Sequence, residues 1–140
     1  MDSNLRRTLI LEHNANPFNK GLIDDANYKR VNVNNESCID NIDMMIDIKN
    51  NIIRDIRFDG EACAISTSAM SIMIKTLLNK NVDEALHIIS EYENMIDEKE
   101  YDSNILGEMI VYDEIYKQPN RKKCALLPVK GIKKVLEEIK

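Results

Sequence analysis

The sequence predicts an α+β fold: a three-stranded antiparallel sheet with helices packed on one face. Three observations carry this expectation. Residues 42–48 alternate, so that Ile42, Met44, Ile46 and Ile48 share a face while Asp43 and Asp47 point away. Asn50-Asn51 follows as a tight turn, and Ile52–Phe58 then returns with Ile56 and Phe58 on the core side. After Gly60 the apolar spacing lengthens from a strand period to a helical one.

The remaining elements follow in chain order. Residues 3–13 read as an N-terminal helix, ended at Asn16-Pro17 because a residue before proline avoids helical angles. Residues 17–27, with Gly21, form a loop, and Tyr28–Val33 is the first strand. A meander of these three strands is expected to keep one side wet. Residues 65–78 are apolar nearly all round, as in a buried helix. Asn81-Val82-Asp83-Glu84 has the pattern of a capping box. It opens a helix that buries Val82, Leu86, Ile89 and Ile96 and turns His87, Glu91, Asn94 and Glu98 outward. His87 therefore reads as a surface residue and not as a ligand. Residues 105–117 read as a short amphipathic helix. The last helix is expected to start near Pro128, a favoured first-turn residue, and to bury Val129, Ile132, Leu136 and Ile139. Without repeats or a long linker, residues 1–140 are expected to form a single domain.

Bulk properties narrow the function. A net charge of −5 argues against nucleic acid as the main partner, since phosphate binding needs a basic surface. No apolar run reaches the length of a membrane span, and MDSNLRRTLI lacks the apolar core of a secretory signal, so a cytoplasmic location is expected. Nothing has the pattern of a hydrolase: there is no activated serine and no pair of histidines.

The three cysteines, Cys38, Cys63 and Cys124, are an odd number, which argues against a disulfide framework. All three are expected at loops or element ends. Cys38 and Asp40, two apart on extended chain, project to one side. Cys63 opens the buried helix, where free backbone N–H groups favour a thiolate. Cys124 is placed in the connection before the last helix. If the loop tips converge, Cys38, Asp40, Cys63 and Cys124 supply four ligands for tetrahedral zinc or the edge of an iron–sulfur cluster. Spacing alone leaves that arrangement and three separate core thiols both open. Arg121, Lys122 and Lys123 would offset the negative charge of such a site, or simply form a solvated loop.

Asn16-Pro17-Phe18-Asn19-Lys20-Gly21, Cys38-x-Asp40, Gly60-x-x-Cys63-Ala64-Ile65-Ser66-x-Ser68 and Arg121-x-Lys123-Cys124-Ala125 together resemble the IscU/NifU-type iron–sulfur cluster assembly proteins. The resemblance runs in order over residues 5–135. It is closest to the SufU branch, through the long Cys63–Cys124 interval and through Lys123, where IscU proper has a metal-binding histidine. His13 also matches and reads as structural or partner-facing. Two positions depart from the pattern: Ile39 and Ala62 stand where the family usually has glycine.

The resemblance implies a metal site of Cys38, Asp40, Cys63 and Cys124, and a PLP-dependent cysteine desulfurase as sulfur donor. It implies a scaffold on which a [2Fe–2S] cluster assembles before passing to downstream acceptor proteins, with Asp40 as the ligand that lets go. The alternative is a zinc-dependent sulfurtransferase in which Cys124 is the sulfur carrier and Arg121 its neighbour. Both describe a scaffold or sulfur acceptor more than a classical enzyme. A remoter alternative is a zinc-stabilised interaction domain without sulfur chemistry, for which Ile39 and Ala62 are the support.

Overall fold

The computed structural model describes residues 2–35 and 39–139. Helix α1 spans Ser3–Ala15, strands β1, β2 and β3 span Lys29–Asn34, Asn41–Lys49 and Ile52–Glu61, and helices α2, α3 and α4 span Ala64–Leu77, Val82–Ile96 and Pro119–Ile139. The strands form an antiparallel meander in the order β1-β2-β3. The fold class is the expected one.

Local chemistry explains the element ends. The Asp2 carboxylate accepts the amides of Asn4 and Leu5 and so caps α1. Asn50 and Asn51 both take positive φ, 53° and 65°, the backbone a two-residue hairpin turn demands and asparagine tolerates. Asn81 caps α3 reciprocally: its Oδ1 accepts the Glu84 amide at 2.8 Å while its Nδ2 donates to Glu84 Oε1 at 2.7 Å.

The inner face of the sheet, Ile42, Met44, Ile46, Ile56 and Phe58, packs into one core with Met70, Ile72 and Ile74 of α2 and Val129, Ile132 and Leu136 of α4. Helix α4 lies along β1 and β2, α2 packs against both β3 and α4, and α1 and α3 pack outside on α2 and α4. The other face is less wet than expected. Met45 points that way and is buried, in a groove that Leu22 also lines.

Expectations for the C-terminal part of the chain are corrected. The last helix begins at Pro119, and Pro128 lies in its interior. The preference of proline for a helix start was sound, but it belongs to the earlier proline. Cys124 is thus a helical residue and not part of a connection. Ile139, at the end of that helix, is 39% exposed. Residues 105–117 are not one amphipathic helix but a chain of short 3-10 turns, the first two meeting at Gly107, whose φ is +53°. His87 is exposed, as expected. Among the described residues no helix is long and apolar enough to cross a membrane.

Candidate metal centre

Three of the four expected ligands meet. One carboxylate oxygen of Asp40 and the sulfurs of Cys63 and Cys124 all lie within 4.8 Å of one another. Each arrives by a different route. Asp40 immediately precedes β2, Cys63 is the residue before the first turn of α2, and Cys124 sits in the second turn of α4. The hairpin and the two helices therefore end at a common corner. Cys38 lies outside the described residues.

The corner is held by hydrogen bonds centred on Asp40, which is only 2% exposed. Its Oδ1 accepts the Cys63 amide at 2.7 Å. Its Oδ2 accepts the Ser66 hydroxyl at 2.6 Å and lies 3.8 Å from the Cys63 sulfur. Burial alone would raise the Asp40 pKa, but the donors from Ser66 and the Cys63 amide outweigh it, and the carboxyl titrates below its ordinary range. Cys63 caps α2: its sulfur accepts the Ser66 amide at 3.5 Å.

Cys124 is the more deeply buried thiol. It is 2% exposed, and its pKa is pushed up to about 12, first by burial and then by the neighbouring Cys63 and Asp40. Without a cation the corner holds a thiol there. Cys63 is half-buried and the more accessible of the two sulfurs.

The donor set fits a borderline-soft divalent ion. Ligand atoms about 2.0–2.3 Å from a tetrahedral centre stand roughly 3.3–3.8 Å apart, and an oxygen–sulfur pair about 3.5 Å. The 3.8 Å between Asp40 Oδ2 and the Cys63 sulfur is within a few tenths of an ångström of that edge. A carboxylate held by backbone and hydroxyl donors also has the outer partners that orient metal ligands.

The expected supporting residues divide. Arg121 is exposed one turn before Cys124, on the i, i+3 spacing that makes helix neighbours. Lys122 turns to Asp97 at 3.6 Å, and Lys123 is exposed. His13 is structural: it is buried, with Nδ1 2.7 Å from the Ser71 hydroxyl that also accepts the Phe18 amide. Ile39 is 66% exposed, so its side chain occupies solvent and leaves the three donors free to converge. Ala62 packs against the core instead. Two residues beside the site carry no role in the sequence reading. Ser66 links Asp40 to α4, and Asn35 Nδ2 lies 4.0 Å from the Cys124 sulfur. Ser66 was legible as the third residue after the cap, the spacing of a capping box.

A meander and two helices that bring a carboxylate and two thiols to one corner define the chain as a small α+β protein with a built thiolate–carboxylate site. The family described as NifU-like N terminal domain matches residues 6–125, and the chain belongs to it. It is 35% identical to the zinc-dependent sulfurtransferase SufU of Bacillus subtilis, over 93% of this chain and 88% of that protein. It is 28% identical to the iron–sulfur cluster assembly scaffold protein IscU of Thermotoga maritima, over 93% of this chain and 91% of that one. Among solved structures, a SufU described as a cluster assembly scaffold for the SUF system of Fervidobacterium islandicum superposes with a TM-score of 0.87 at 33% identity, covering 91% of this chain and 93% of that one. The N-terminal NifU-like protein of Brucella abortus shares the fold, with a TM-score of 0.80 at 15% identity over 94% and 92% of the two chains.

Proposed function

We propose that this chain works in iron–sulfur cluster assembly by accepting sulfur from a PLP-dependent cysteine desulfurase in the cytoplasm, with Cys124 as the receiving thiol. One observation carries the reading: Asp40, Cys63 and Cys124 converge at a corner whose buried sulfur cannot ionise readily by itself. Zinc, held by Asp40, Cys63 and Cys124 with Cys38 as the fourth ligand, would supply the positive charge that keeps these thiols deprotonated at neutral pH. The Cys124 thiolate then attacks the outer sulfur of the desulfurase persulfide. A new S–S bond forms on Cys124, the old one breaks, and the desulfurase cysteine leaves as a thiolate, with no net oxidation. Arg121, one helical turn away, stands near the negative charge of the persulfide. The likeness to SufU over most of its length favours this zinc-dependent form.

A second reading has its own support. In it the same residues hold a [2Fe–2S] cluster as cargo, and the carboxylate of Asp40, a harder donor than the thiolates, is the ligand that releases it. The likeness to IscU favours this form.

Protein purified without oxygen, analysed for metal and added to a desulfurase assay, separates the two. Zinc at one equivalent, with desulfurase stimulation lost in Cys124→Ser, supports the sulfur-acceptor form. Iron and sulfide at two equivalents each, with a cluster that transfers to an apo-acceptor, supports the scaffold. Stimulation surviving in Cys124→Ser but lost in Cys63→Ser would move the receiving sulfur to the more exposed thiol. No stimulation by the wild type would end the sulfur-acceptor form.

A further inference from the structure

The interior proline of α4 stands four residues after Cys124. In an unbroken helix the amide of residue 128 would donate to the Cys124 carbonyl; proline has no amide, and its ring crowds that oxygen. The hydroxyl of Ser66, a fully buried residue of α2, lies 3.1 Å from it. The adjacent carbonyl, that of Ala125, accepts the Tyr92 hydroxyl of α3 at 2.8 Å, and Tyr92 too is fully buried. Two neighbouring helices thus each present a buried hydroxyl to this stretch of α4. The regular helix donor to the Ala125 carbonyl would be the Val129 amide, which is present, so only the Cys124 carbonyl loses its donor to the proline.

Only one of the two hydroxyls also touches the site. Ser66 has a single proton and two acceptors, Asp40 Oδ2 at 2.6 Å and the Cys124 carbonyl at 3.1 Å. It joins the residue that precedes β2 to the second turn of α4. The geometry points to Ser66 and Pro128 as a pair of positioning residues that set the Cys124 thiol against Asp40, through the Cys124 carbonyl on which both act. Pro128 withholds the main-chain donor, and Ser66 takes its place from the side of the metal corner. Restoring an amide at 128 would let α4 satisfy itself and drift from Asp40. The inference rests on the reading that Cys124 and Asp40 share an ion.

The test is a double-mutant cycle of Ser66→Ala and Pro128→Ala in the full chain, with two readouts. The first is the thermal midpoint of the metal-free protein. Any general effect of replacing a helical proline appears in both backgrounds and cancels. Pro128→Ala is expected to raise the midpoint more in the Ser66→Ala background, where its amide rescues an orphaned carbonyl, than in the wild type. The second readout is cobalt titration, followed by thiolate-to-cobalt charge-transfer absorption. Pro128→Ala alone is expected to weaken cobalt binding about tenfold, the size of effect seen when an outer partner of a ligand is lost. Equal midpoint shifts in both backgrounds would overturn the inference. So would a coupled midpoint with unchanged cobalt affinity. A wild type that shows no charge-transfer band would instead fell the shared-ion reading itself, and the positioning role with it.

Discussion

Gly60→Ala should damage this protein far more than a one-carbon change suggests. Gly60 pairs with Ile42 in the β2–β3 ladder, beside the residues that lead into Asp40 and Cys63. Its φ is +129°, and a Cβ built on it would stand 2.1 Å from the Asn41 carbonyl oxygen. That contact is backbone, so no side chain can swing aside. Reaching an ordinary separation requires the strands to part by about an ångström, enough to weaken the ladder bonds there, each contributing roughly 1 kcal/mol. The unfavourable φ adds about 1–3 kcal/mol for a residue with a side chain. The total is about 3–5 kcal/mol, out of the 5–15 kcal/mol typical of a whole domain. At roughly 3–4 °C per kcal/mol for a chain of this size, the thermal midpoint should fall about 10–20 °C. Differential scanning calorimetry of the metal-free protein measures it, and zinc competition with a chromophoric chelator should show weakened binding alongside. A midpoint within 2–3 °C of wild type, about 1 kcal/mol on the same scale, would refute the claim that this glycine is there for its missing Cβ.

Gly131→Ala supplies the control. Its Cβ would meet the Cε of Met44 at 2.5 Å, the far end of a flexible side chain, and alanine is the better helix former by about 1 kcal/mol, so calorimetry should place this variant near wild type. The proton on Cys124 gives a third prediction. Because that thiol ionises only near pH 12, zinc must expel its proton at neutral pH, and affinity should rise with pH about tenfold per unit more steeply in wild type than in Cys124→Ala; equal slopes in chelator competition would remove Cys124 from the ligand set. The same shift acts on stability in the other direction. The folded thiol ionises after the unfolded one, so above its ordinary pKa of 9.0 the unfolded chain sheds the proton first, and metal-free protein should lose stability as pH climbs towards about 12, relative to Cys124→Ala, as urea unfolding of both proteins across that range would measure.

The sheet was legible because it is written in side-chain alternation: Ile42, Met44, Ile46, Ile56 and Phe58 announce both face and register, and Asn50-Asn51 fixes the turn. The convergence of Asp40, Cys63 and Cys124 was legible only through four short motifs taken together, since nothing in their spacing states that two helices end at one corner. Two prolines offered the same local signal, and only tertiary packing chose between them. Pro128 sits in a helix interior, and the hydroxyl that lies 3.1 Å from the Cys124 carbonyl it leaves without an amide belongs to Ser66, far away in sequence, which local periodicity does not see. Residues 105–117 failed for another reason: the apolar spacing was present, yet the backbone winds into separate 3-10 turns, the first two meeting at Gly107 with its positive φ.

The division of labour within Asp40 connects the fold to the proposed chemistry. A carboxylate can bind an ion through one oxygen and leave the other to hold the protein. Here Oδ1 is committed to the Cys63 amide, which fixes where α2 begins, while Oδ2 faces the thiol and the Ser66 hydroxyl. The residue can therefore give up an ion at Oδ2 without releasing the helix that Oδ1 anchors. Cys63 and Cys124 have no equivalent safeguard, since each offers one sulfur. If one ligand must exchange for sulfur or cargo to pass through the corner, Asp40 is the one whose departure leaves the frame of the site in place.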